Sequence, residues 1–516
     1  MPDPGLSAYL GLPGWLLLWV LTGIAFVLFG LRVVRLVRVL LKGRPEVRWD
    51  RIPRRLWTFL TNVFVQQRLL QQPVIGVAHL IIFWSFVFFA TGFWWSLGRG
   101  LLSFLPFLRP IPYSDDVVWM AVPMEVLAVL ALVSLLVAAV RRYVFTPAGL
   151  ERTRDATTVL TLITLLLVTF LAGQGAKVLS GEQAGAWSPA GAVVGGWYAG
   201  LGIGPDGASG LYLSMWWAHM ATVLGFLAYL PYSKHAHLLF APFGVFFTSF
   251  RPGEMPAESE GASKLEDFTW RQLFNALTCA ECGRCERVCP AHASGFPLSP
   301  KVLVHELKEL VLGAVSVRGA APAAPAGVAP EGDGTVAGVF RREELWACTT
   351  CMACMNSCPV FNEHIPLIVE MRRHLVAQGA LEDGVQGVLV NLGRYGNSFG
   401  KSARARASWT TSLGFKIKDA RKEPVEFLWL VGDYASFDPR AQVVTQSVAR
   451  LFQRAGLDFG ILYEGEQNSG NDARRIGEEG LFGLLMEKNL KLLEKVKFSK
   501  IVTTDPHTYH VVKHEY

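Results

Sequence analysis

Five long apolar runs occupy the first half of the chain and restrict it to a membrane fold. They lie near residues 10–30, 75–97, 117–140, 157–174 and 209–231. A helix needs about 20 consecutive apolar residues to cross the hydrocarbon core of a bilayer, and the fourth run is near the lower limit of that length. The sequence therefore predicts a bundle of five transmembrane helices.

Positive charge is distributed unevenly among the loops that join these runs. Nine Lys and Arg side chains lie between Arg32 and Arg55, and four more follow the third run, whereas the other two loops carry only Arg99, Arg109 and Lys177. Cytoplasmic loops carry an excess of Lys and Arg, so we expect a multi-pass protein of the inner (cytoplasmic) membrane with its N-terminus outside. The polar half has no Lys/Arg stripe, which argues against a nucleic-acid partner.

All the cysteines fall in two copies of one spacing, C-x2-C-x2-C-x3-C-P. Bacterial ferredoxins hold [4Fe–4S] clusters with this run, and in two-cluster ferredoxins the fourth cysteine ligates the other cluster. We therefore expect two clusters with crossed ligand sets. One set is Cys279, Cys282, Cys285 and Cys358, and the other is Cys348, Cys351, Cys354 and Cys289.

Structural zinc and disulfides explain these cysteines less well. Structural zinc sites use paired C-x2-C units, and disulfides do not persist in a reducing compartment. The stretches LSPKVLVHELKEL and EHIPLIVEMRRHLVAQG predict helices that frame an α-helical ferredoxin domain. The Ala/Pro/Gly-rich tract near residues 313–338 predicts a flexible insertion without chemistry of its own.

Four histidines lie in or beside the apolar runs: His79 in the second, and His219, His235 and His237 around the fifth. A polar side chain in hydrocarbon is costly and indicates a function, and imidazole is a common axial ligand of haem iron. We expect one or two haems b, with His79 and His237 as the preferred ligand pair. His219 would serve a second haem, for which no partner is evident. The alternative is that His235 and His237 contact haem propionates or lipid phosphates at the interface.

The pattern changes again from about residue 424. VEFLWLVG, DFGILYEGE and KIVTT predict strands, and helical stretches separate them, including a long one from Ala473 to Lys495. This alternation predicts an α/β domain with a parallel sheet, whose ligand crevice lies at the carboxyl ends of the strands. Asp433, Asn468 and Asp505 occupy those ends. The predicted domains are residues 1–245, 246–392 and 393–516.

Two resemblances follow from these residues. Five spans with histidines on the second and fifth resemble the γ subunit of respiratory nitrate reductase, which has two histidines on span two where this chain has only His79. The sequence from DFTWRQL, through the second cysteine run and VEFLWLVGDYASFDPRAQ, to GNDARRIGEEGLF resembles the heterodisulfide reductase-related iron–sulfur oxidoreductases. Its nearest branch resembles the electron-transfer-flavoprotein:menaquinone oxidoreductases, which fuse a haem b domain, a two-cluster ferredoxin domain and cysteine-rich CCG domains.

The chain departs from that family in its C-terminal part. Family cysteines are replaced by Asp433 and Asn468, and a CPHC-like pair is replaced by Asp505 and Thr508. The second half of the CCG region does not follow KHEY. The ending VTTDPHTYHVVKHEY contains His507, His510 and His514 at spacings that could form a metal site. No acidic or cysteine residue nearby completes the coordination shell of a metal ion. We interpret this part as a degenerate CCG-type domain that docks a partner.

The resemblance implies a membrane-bound oxidoreductase that passes electrons between a cytoplasmic electron-transfer flavoprotein, two [4Fe–4S] clusters, haem b and menaquinone. No nucleophile–base constellation of the hydrolytic kind is evident, and no catalytic residue is assigned. The alternatives are a subunit of a heterodisulfide reductase-like complex, in which a separate subunit would carry the CCG domain, and a non-catalytic membrane anchor that docks partner subunits. A redox-driven ion pump is a further alternative, with Glu125 as the clearest intramembrane carboxylate.

Overall fold

The computed structural model describes residues 1–251, 255, 259–315, 335–336 and 339–516. Most of the insertion predicted near residues 313–338 lies outside the described residues. Within the described part of the chain, five helices are long and apolar enough to cross a membrane. We call residues 1–245 the membrane region, 246–392 the cysteine region and 393–516 the C-terminal region; the boundaries themselves stay predictions.

The membrane region contains the five predicted spans and several shorter elements. Its strands and helices are β1 (Ala8–Tyr9), β2 (Leu12–Pro13), α1 (Gly14–Leu40), α2 (Ile52–Phe59), α3 (Gln67–Leu70), α4 (Pro73–Leu101), α5 (Val118–Val140), α6 (Arg154–Leu179), α7 (Pro189–Gly200), α8 (Pro205–Tyr229) and α9 (His237–Phe246). The spans are α1, α4, α5, α6 and α8. The fourth span has 26 residues, so the prediction of a marginal length was wrong, because polar residues at both of its ends are helical too.

Helix α7 lies between spans four and five and was not predicted. It packs against α6, and its N-terminus receives the carboxylate of Glu125 from span three. Glu125 accepts hydrogen bonds from the Ser188 hydroxyl and from the backbone N–H groups of Ala190 (2.9 Å) and Gly191 (3.3 Å). This carboxylate therefore caps a helix, which accounts for its burial without ion transport.

The cysteine region is mostly helical, as predicted. Its elements are α10 (Trp270–Thr278), α11 (Arg284–Arg287), α12 (Pro290–Ala293), α13 (Pro300–Gly313), β3 (Thr335–Val336), β4 (Phe340–Arg341), α14 (Arg342–Ala347), α15 (Ala353–Ser357), α16 (His364–Ala377) and α17 (Asp383–Tyr395). Helices α13 and α16 are the two predicted to frame the ferredoxin domain. Their buried faces join one hydrophobic cluster with Phe268 and Leu273, and that cluster extends to Leu36 and Phe240 of the membrane region.

The C-terminal region contains the predicted parallel sheet. Its elements are β5 (Lys418–Asp419), β6 (Val425–Leu430), α18 (Asp433–Phe437), α19 (Pro439–Arg454), β7 (Phe459–Ile461), α20 (Asn471–Ile476), α21 (Glu479–Leu493), β8 (Phe498–Thr503) and α22 (Pro506–His514). The strand order is β5-β7-β6-β8, and every pair is parallel. The long helix expected from Ala473 to Lys495 is two helices, because Gly477 between them has a φ of +101°.

The loops predicted to be cytoplasmic contact the cysteine region. Arg44 pairs with Glu370 (2.9 Å) and Arg48 with Glu363 (2.8 Å), both from the loop after span one. Glu151, from the loop after span three, pairs with Lys301. Both positively charged loops and the cysteine region therefore lie on the same side of the five spans.

Candidate cofactor sites

The two cysteine runs have the same backbone conformation. The second residue after the first cysteine of each run has a positive φ, +56° at Glu281 and +53° at Thr350. The fourth residue repeats this, with +70° at Gly283 and +63° at Met352. Non-glycine residues adopt this conformation only at a cost of about 1–3 kcal/mol, and such strain is typical of sites that hold a ligand. The loop turns its N–H groups inward, and the N–H of Thr350 lies 3.4 Å from the Cys348 sulfur.

The fourth cysteine of each run also has matching geometry. Cys289 has φ −75° and ψ 118°, and Cys358 has φ −72° and ψ 118°. Helices α11 and α15, which precede these cysteines, pack against each other. This packing brings Cys358 close enough to Cys279 and Cys285 for the charges of their thiolates to interact. In the same way Cys289 is close enough to interact with the thiolates of Cys348 and Cys354. This proximity agrees with the ferredoxin rule, but Cys285 also lies near Cys354 of the other set, and the crossed ligand sets stay a prediction.

The chemistry of these cysteines fits iron–sulfur clusters. Burial raises the pKa of Cys279 to about 12 and that of Cys358 to about 11, and neighbouring thiols add to both shifts. Buried thiolates therefore need a bound cation to compensate their charge. Among the described residues, no three His, Cys, Asp or Glu side chains are grouped as ligands of a single metal ion. Each iron of a cubane takes its own thiolate, so cubane ligands stand further apart than those of one ion.

In each cysteine group an arginine donates a short hydrogen bond to a cysteine carbonyl oxygen. Arg68, from the membrane region, donates to the carbonyl of Cys358 (2.8 Å), and its guanidinium lies 3.5 Å from the centre of the Phe361 ring. Arg372, which also donates to Arg475 in the C-terminal region, donates to the carbonyl of Cys348 (2.6 Å). These charges favour the more negative, reduced form of a cluster placed beside them.

Three of the four candidate haem histidines are oriented in the same way, each with Nδ1 hydrogen-bonded to an oxygen. The acceptors are the side-chain oxygen of Gln66 for His79 (3.0 Å), the carbonyl of Leu166 for His219 (3.0 Å) and the carbonyl of Lys234 for His237 (2.9 Å). An oxygen acceptor holds the proton on Nδ1, so Nε2 keeps its lone pair. Histidines that bind metals are commonly held by such a bond, so all three fit the role of axial ligand.

The structure groups three of these histidines and leaves the fourth apart. The rings of His235 and His237 are 5.1 Å apart, and both lie within electrostatic range of His79. Burial lowers the pKa of His235 to about 3, so it is neutral at physiological pH. His219 lies beside Phe170 instead, with the ring centres 6.4 Å apart, and Phe89 packs against Phe170 at 5.3 Å. His219 is thus placed among aromatic side chains and not with the other three histidines.

A close junction connects the first cysteine run to the histidine group. Arg284, which stands between Cys282 and Cys285, donates to the backbone carbonyls of Arg68 (2.8 Å) and Leu69 (3.2 Å) just before span two. Its guanidinium is also within electrostatic range of His79. The cysteine region therefore touches the membrane region at the point where the first cysteine run meets span two.

The polar residues at the carboxyl ends of the strands meet, as the sheet rule predicts. Asn468 donates to the Asp433 carboxylate (2.7 Å), which also accepts from the buried guanidinium of Arg406 (2.7 Å). Asp505 lies against the backbone of Gly432 and accepts from the Thr508 hydroxyl (2.6 Å). The positions where the family resemblance implies cluster cysteines thus form two hydrogen-bonded pairs, Asn468 with Asp433 and Thr508 with Asp505.

The histidines of the ending are used locally. His507 is within 2.8 Å of the Asn471 side chain, and a hydrogen bond with Asp472 raises the pKa of His507. The rings of His510 and His514 pack 4.9 Å apart on one face of α22.

Sequence reasoning missed four residues around the candidate sites: Gln66, Arg68, Arg284 and Arg372. Arg68 belongs to the basic loop whose charge predicted topology, and nothing in the sequence distinguishes it from its neighbours. Arg284 could have been found, because it lies inside a cysteine run where a charged side chain is close to any bound cluster. Gln66 is 13 residues before His79, and no helical periodicity relates the two positions, so the sequence gives no sign of their contact.

Comparisons with known proteins agree with this organisation. A family described as "4Fe-4S dicluster domain" matches residues 278–362. The chain is 33% identical to the probable iron-sulfur-binding oxidoreductase FadF of Bacillus subtilis, over 97% of this chain and 76% of that protein. It is 31% identical to the EtfAB:quinone oxidoreductase of Syntrophomonas wolfei, over 95% of this chain and 73% of that protein.

A third relative, the probable membrane-anchored ferredoxin of Chromohalobacter salexigens, is 38% identical over 50% of this chain and 39% of its own length. No solved structure matches the chain. The likeness to the first two relatives runs through the spans, the cysteine runs and the C-terminal sheet, and it confirms the resemblance drawn from the motifs. The chain belongs to the family of membrane-bound iron–sulfur oxidoreductases related to FadF and to EtfAB:quinone oxidoreductase.

Proposed function

We propose that this protein transfers electrons between a cytoplasmic donor and the quinone pool of the membrane. The observation that supports this most directly is the junction at Arg284, where the first cysteine run meets span two beside His79. We propose an electron-transfer flavoprotein as the donor and menaquinone as the quinone, because the sequence resembles the electron-transfer-flavoprotein:menaquinone oxidoreductases. A relative named EtfAB:quinone oxidoreductase supports the flavoprotein donor and a quinone acceptor.

The proposed ligand sets follow the crossed grouping of the cysteines. Cys279, Cys282, Cys285 and Cys358 would hold the cluster nearer the membrane, and Cys348, Cys351, Cys354 and Cys289 would hold the other. When bound, the clusters and the haem supply one-electron redox chemistry. The chain itself excludes water from the buried cysteines and aims the Arg68 and Arg372 guanidinium groups at the two sites.

We propose one haem b, held by His79 and His237. Both histidines have Nδ1 engaged and Nε2 available, and both lie in the group that faces the first cysteine run. His235 lies beside them, suited to contact the edge of the haem or its propionates. His219 also has Nδ1 engaged, but it lies beside Phe170 and apart from the other three histidines, so we assign it no haem.

We further propose that the N-terminus is outside the inner membrane and that the cysteine and C-terminal regions are cytoplasmic. The contact of both basic loops with the cysteine region supports this orientation. The C-terminal region is proposed to be a degenerate CCG-type domain whose retained fold docks a partner. The Asp433 network supports this, since it fills the crevice with bonds that need no metal.

Spectroscopy of the purified protein tests the proposal. We expect about eight non-haem iron atoms, a b-type band in the reduced-minus-oxidised spectrum, and reduction of both kinds of centre by a menaquinol. His79→Ala and His237→Ala should each abolish the b-type band, whereas His219→Ala, a matched control in span five, should keep it. A b-type band that survives both substitutions would overturn the ligand pair. Centres that dithionite reduces but no quinol reduces would instead favour the non-catalytic anchor.

A further inference from the structure

A cleft of about 450 Å³ lies where span one meets α9 and the first helix of the cysteine region. Every residue that lines it is apolar or aromatic. Those that the argument uses are Phe29, Val37, Leu41, Phe243, Trp270 and Phe274. The cleft has the volume of a typical small-molecule site, which is a few hundred Å³.

The lining determines what kind of molecule the cleft can take. The indole N–H of Trp270 is its polar group, and that N–H already donates to the carbonyl of Glu46 (2.9 Å). A charged or strongly polar ligand would lose its hydration there without finding partners. Leu41 and Phe243 are 74% and 56% exposed at the margin of the cleft, so a hydrocarbon chain can enter from the side where lipid surrounds the spans.

Besides span one, the walls of the cleft are two helices that adjoin proposed cofactor ligands. Helix α9 begins at His237 and supplies Phe243, about two turns further on. Helix α10 supplies Trp270 and Phe274 and ends at Thr278, directly before Cys279. A molecule in the cleft therefore touches both the helix of a haem histidine and the helix that leads into a cluster.

We propose that this cleft binds the isoprenoid chain of the quinone substrate. The inference rests on the proposed function and assigns to it a place for the substrate. A phospholipid acyl chain has similar chemistry, but the position between two ligand-bearing helices favours the redox substrate. The aromatic walls suit a branched, unsaturated chain, because its methyl groups and double bonds pack against ring faces.

Filling the cleft without touching the redox ligands tests this. Val37→Trp places an indole in the cleft, and Val34→Trp is the matched control, because Val34 lies on the same helix, is 47% exposed and does not line the cleft. Both variants and the unsubstituted protein, in lipid nanodiscs, are reduced with a menaquinol that carries an isoprenoid chain and with a naphthoquinol that has none. For each protein, the half-saturating concentration of the chainless quinol is divided by that of the chain-bearing quinol. Comparing this ratio between proteins cancels the effect of partition into the bilayer.

We expect Val37→Trp to lose at least tenfold of the preference for the chain-bearing quinol, with the chainless quinol unaffected and Val34→Trp unchanged. An unaltered preference in Val37→Trp would overturn the proposal. If a phospholipid co-purifies with the unsubstituted protein but not with Val37→Trp, and the preference for the chain-bearing quinol is unchanged, the occupant of the cleft is a lipid and the proposal is overturned. If neither quinol reduces the unsubstituted protein although dithionite does, the proposed function itself fails. Leu41→Trp replaces Val37→Trp if the dithionite-reduced spectrum shows incomplete assembly.

Discussion

Glu363 joins the membrane region to the cysteine region, and its removal should weaken that attachment strongly. Its carboxylate is 5% exposed and accepts from Arg48 (2.8 Å) and from the backbone N–H of Ser249 (2.8 Å), with Arg271 at 3.5 Å. Glu363→Gln keeps the shape and one acceptor oxygen but removes the charge. Arg271 is then a buried cation, 1% exposed, without its compensating carboxylate.

Breaking a buried ion pair by removing one partner costs about 3–5 kcal/mol. We expect a value near the lower limit, about 3 kcal/mol, because Arg48 keeps a second carboxylate in Glu46 and Arg271 keeps its bond to Asn275. That corresponds to roughly a hundredfold change in the equilibrium constant of unfolding. Urea titration of the purified protein in detergent, followed by the visible absorbance of the clusters, measures it.

The effect should also depend on pH. Burial alone would raise the pKa of Glu363, but Arg271 and Arg48 outweigh it and hold the pKa below its usual value. The ionised carboxylate therefore contributes its stability above the pKa of an unfolded glutamate, and that stability is lost as the pH falls through the lower folded pKa. The difference between Glu363→Gln and the unsubstituted protein should shrink in acid. A loss below about 0.5 kcal/mol at pH 7, no larger than that of the exposed control Glu494→Gln, would refute the reasoning.

Three further predictions concern the cysteines and the C-terminal region. Cys358→Ser should change the same electron paramagnetic resonance signal as Cys279→Ser, and Cys289→Ser the same signal as Cys348→Ser. If Cys358→Ser instead changed the signal that Cys348→Ser changes, the crossed ligand sets would be contradicted. Asp433→Ala should lower the free energy of unfolding by about 3 kcal/mol, near the lower limit for a broken buried ion pair, because Arg406 loses its closer carboxylate and keeps Glu466 at 3.7 Å. Asp438→Ala, which removes a helix cap, should cost about 1 kcal/mol. Gly477→Ala should destabilise by more than about 1 kcal/mol, measured in the same urea titration, because φ is +101° and a Cβ would meet the backbone of the cysteine region.

The features that the sequence predicted well are those that depend on short spacings. The cysteine run determines a local loop, and hydropathy over one span determines a membrane helix, so the spans and the helices around the clusters could be anticipated. The meeting of Asp433, Asn468 and Asp505 followed from a general rule about parallel sheets.

The features that were missed depend on contacts between distant residues. Helix α7 is glycine-rich and too short for a span. The group that caps it, Glu125, lies in another span, 63 residues before Ser188. The apolar period continues through Gly477, so the break after α20 is visible only in the backbone. Which histidines group together also depends on the packing of spans two and five, and no spacing within one helix encodes it.

The network around Asp433 also has a consequence for the life of the protein in the cell. The C-terminal region contains no cysteine, and its crevice is closed by a carboxylate–guanidinium pair. The crevice itself therefore holds no cluster ligand that depends on iron delivery or that oxygen would oxidise. If a partner docks there, as we propose, it would meet none of the groups that are lost when a cluster is destroyed. Docking would then not depend on the supply of the most fragile components of the protein.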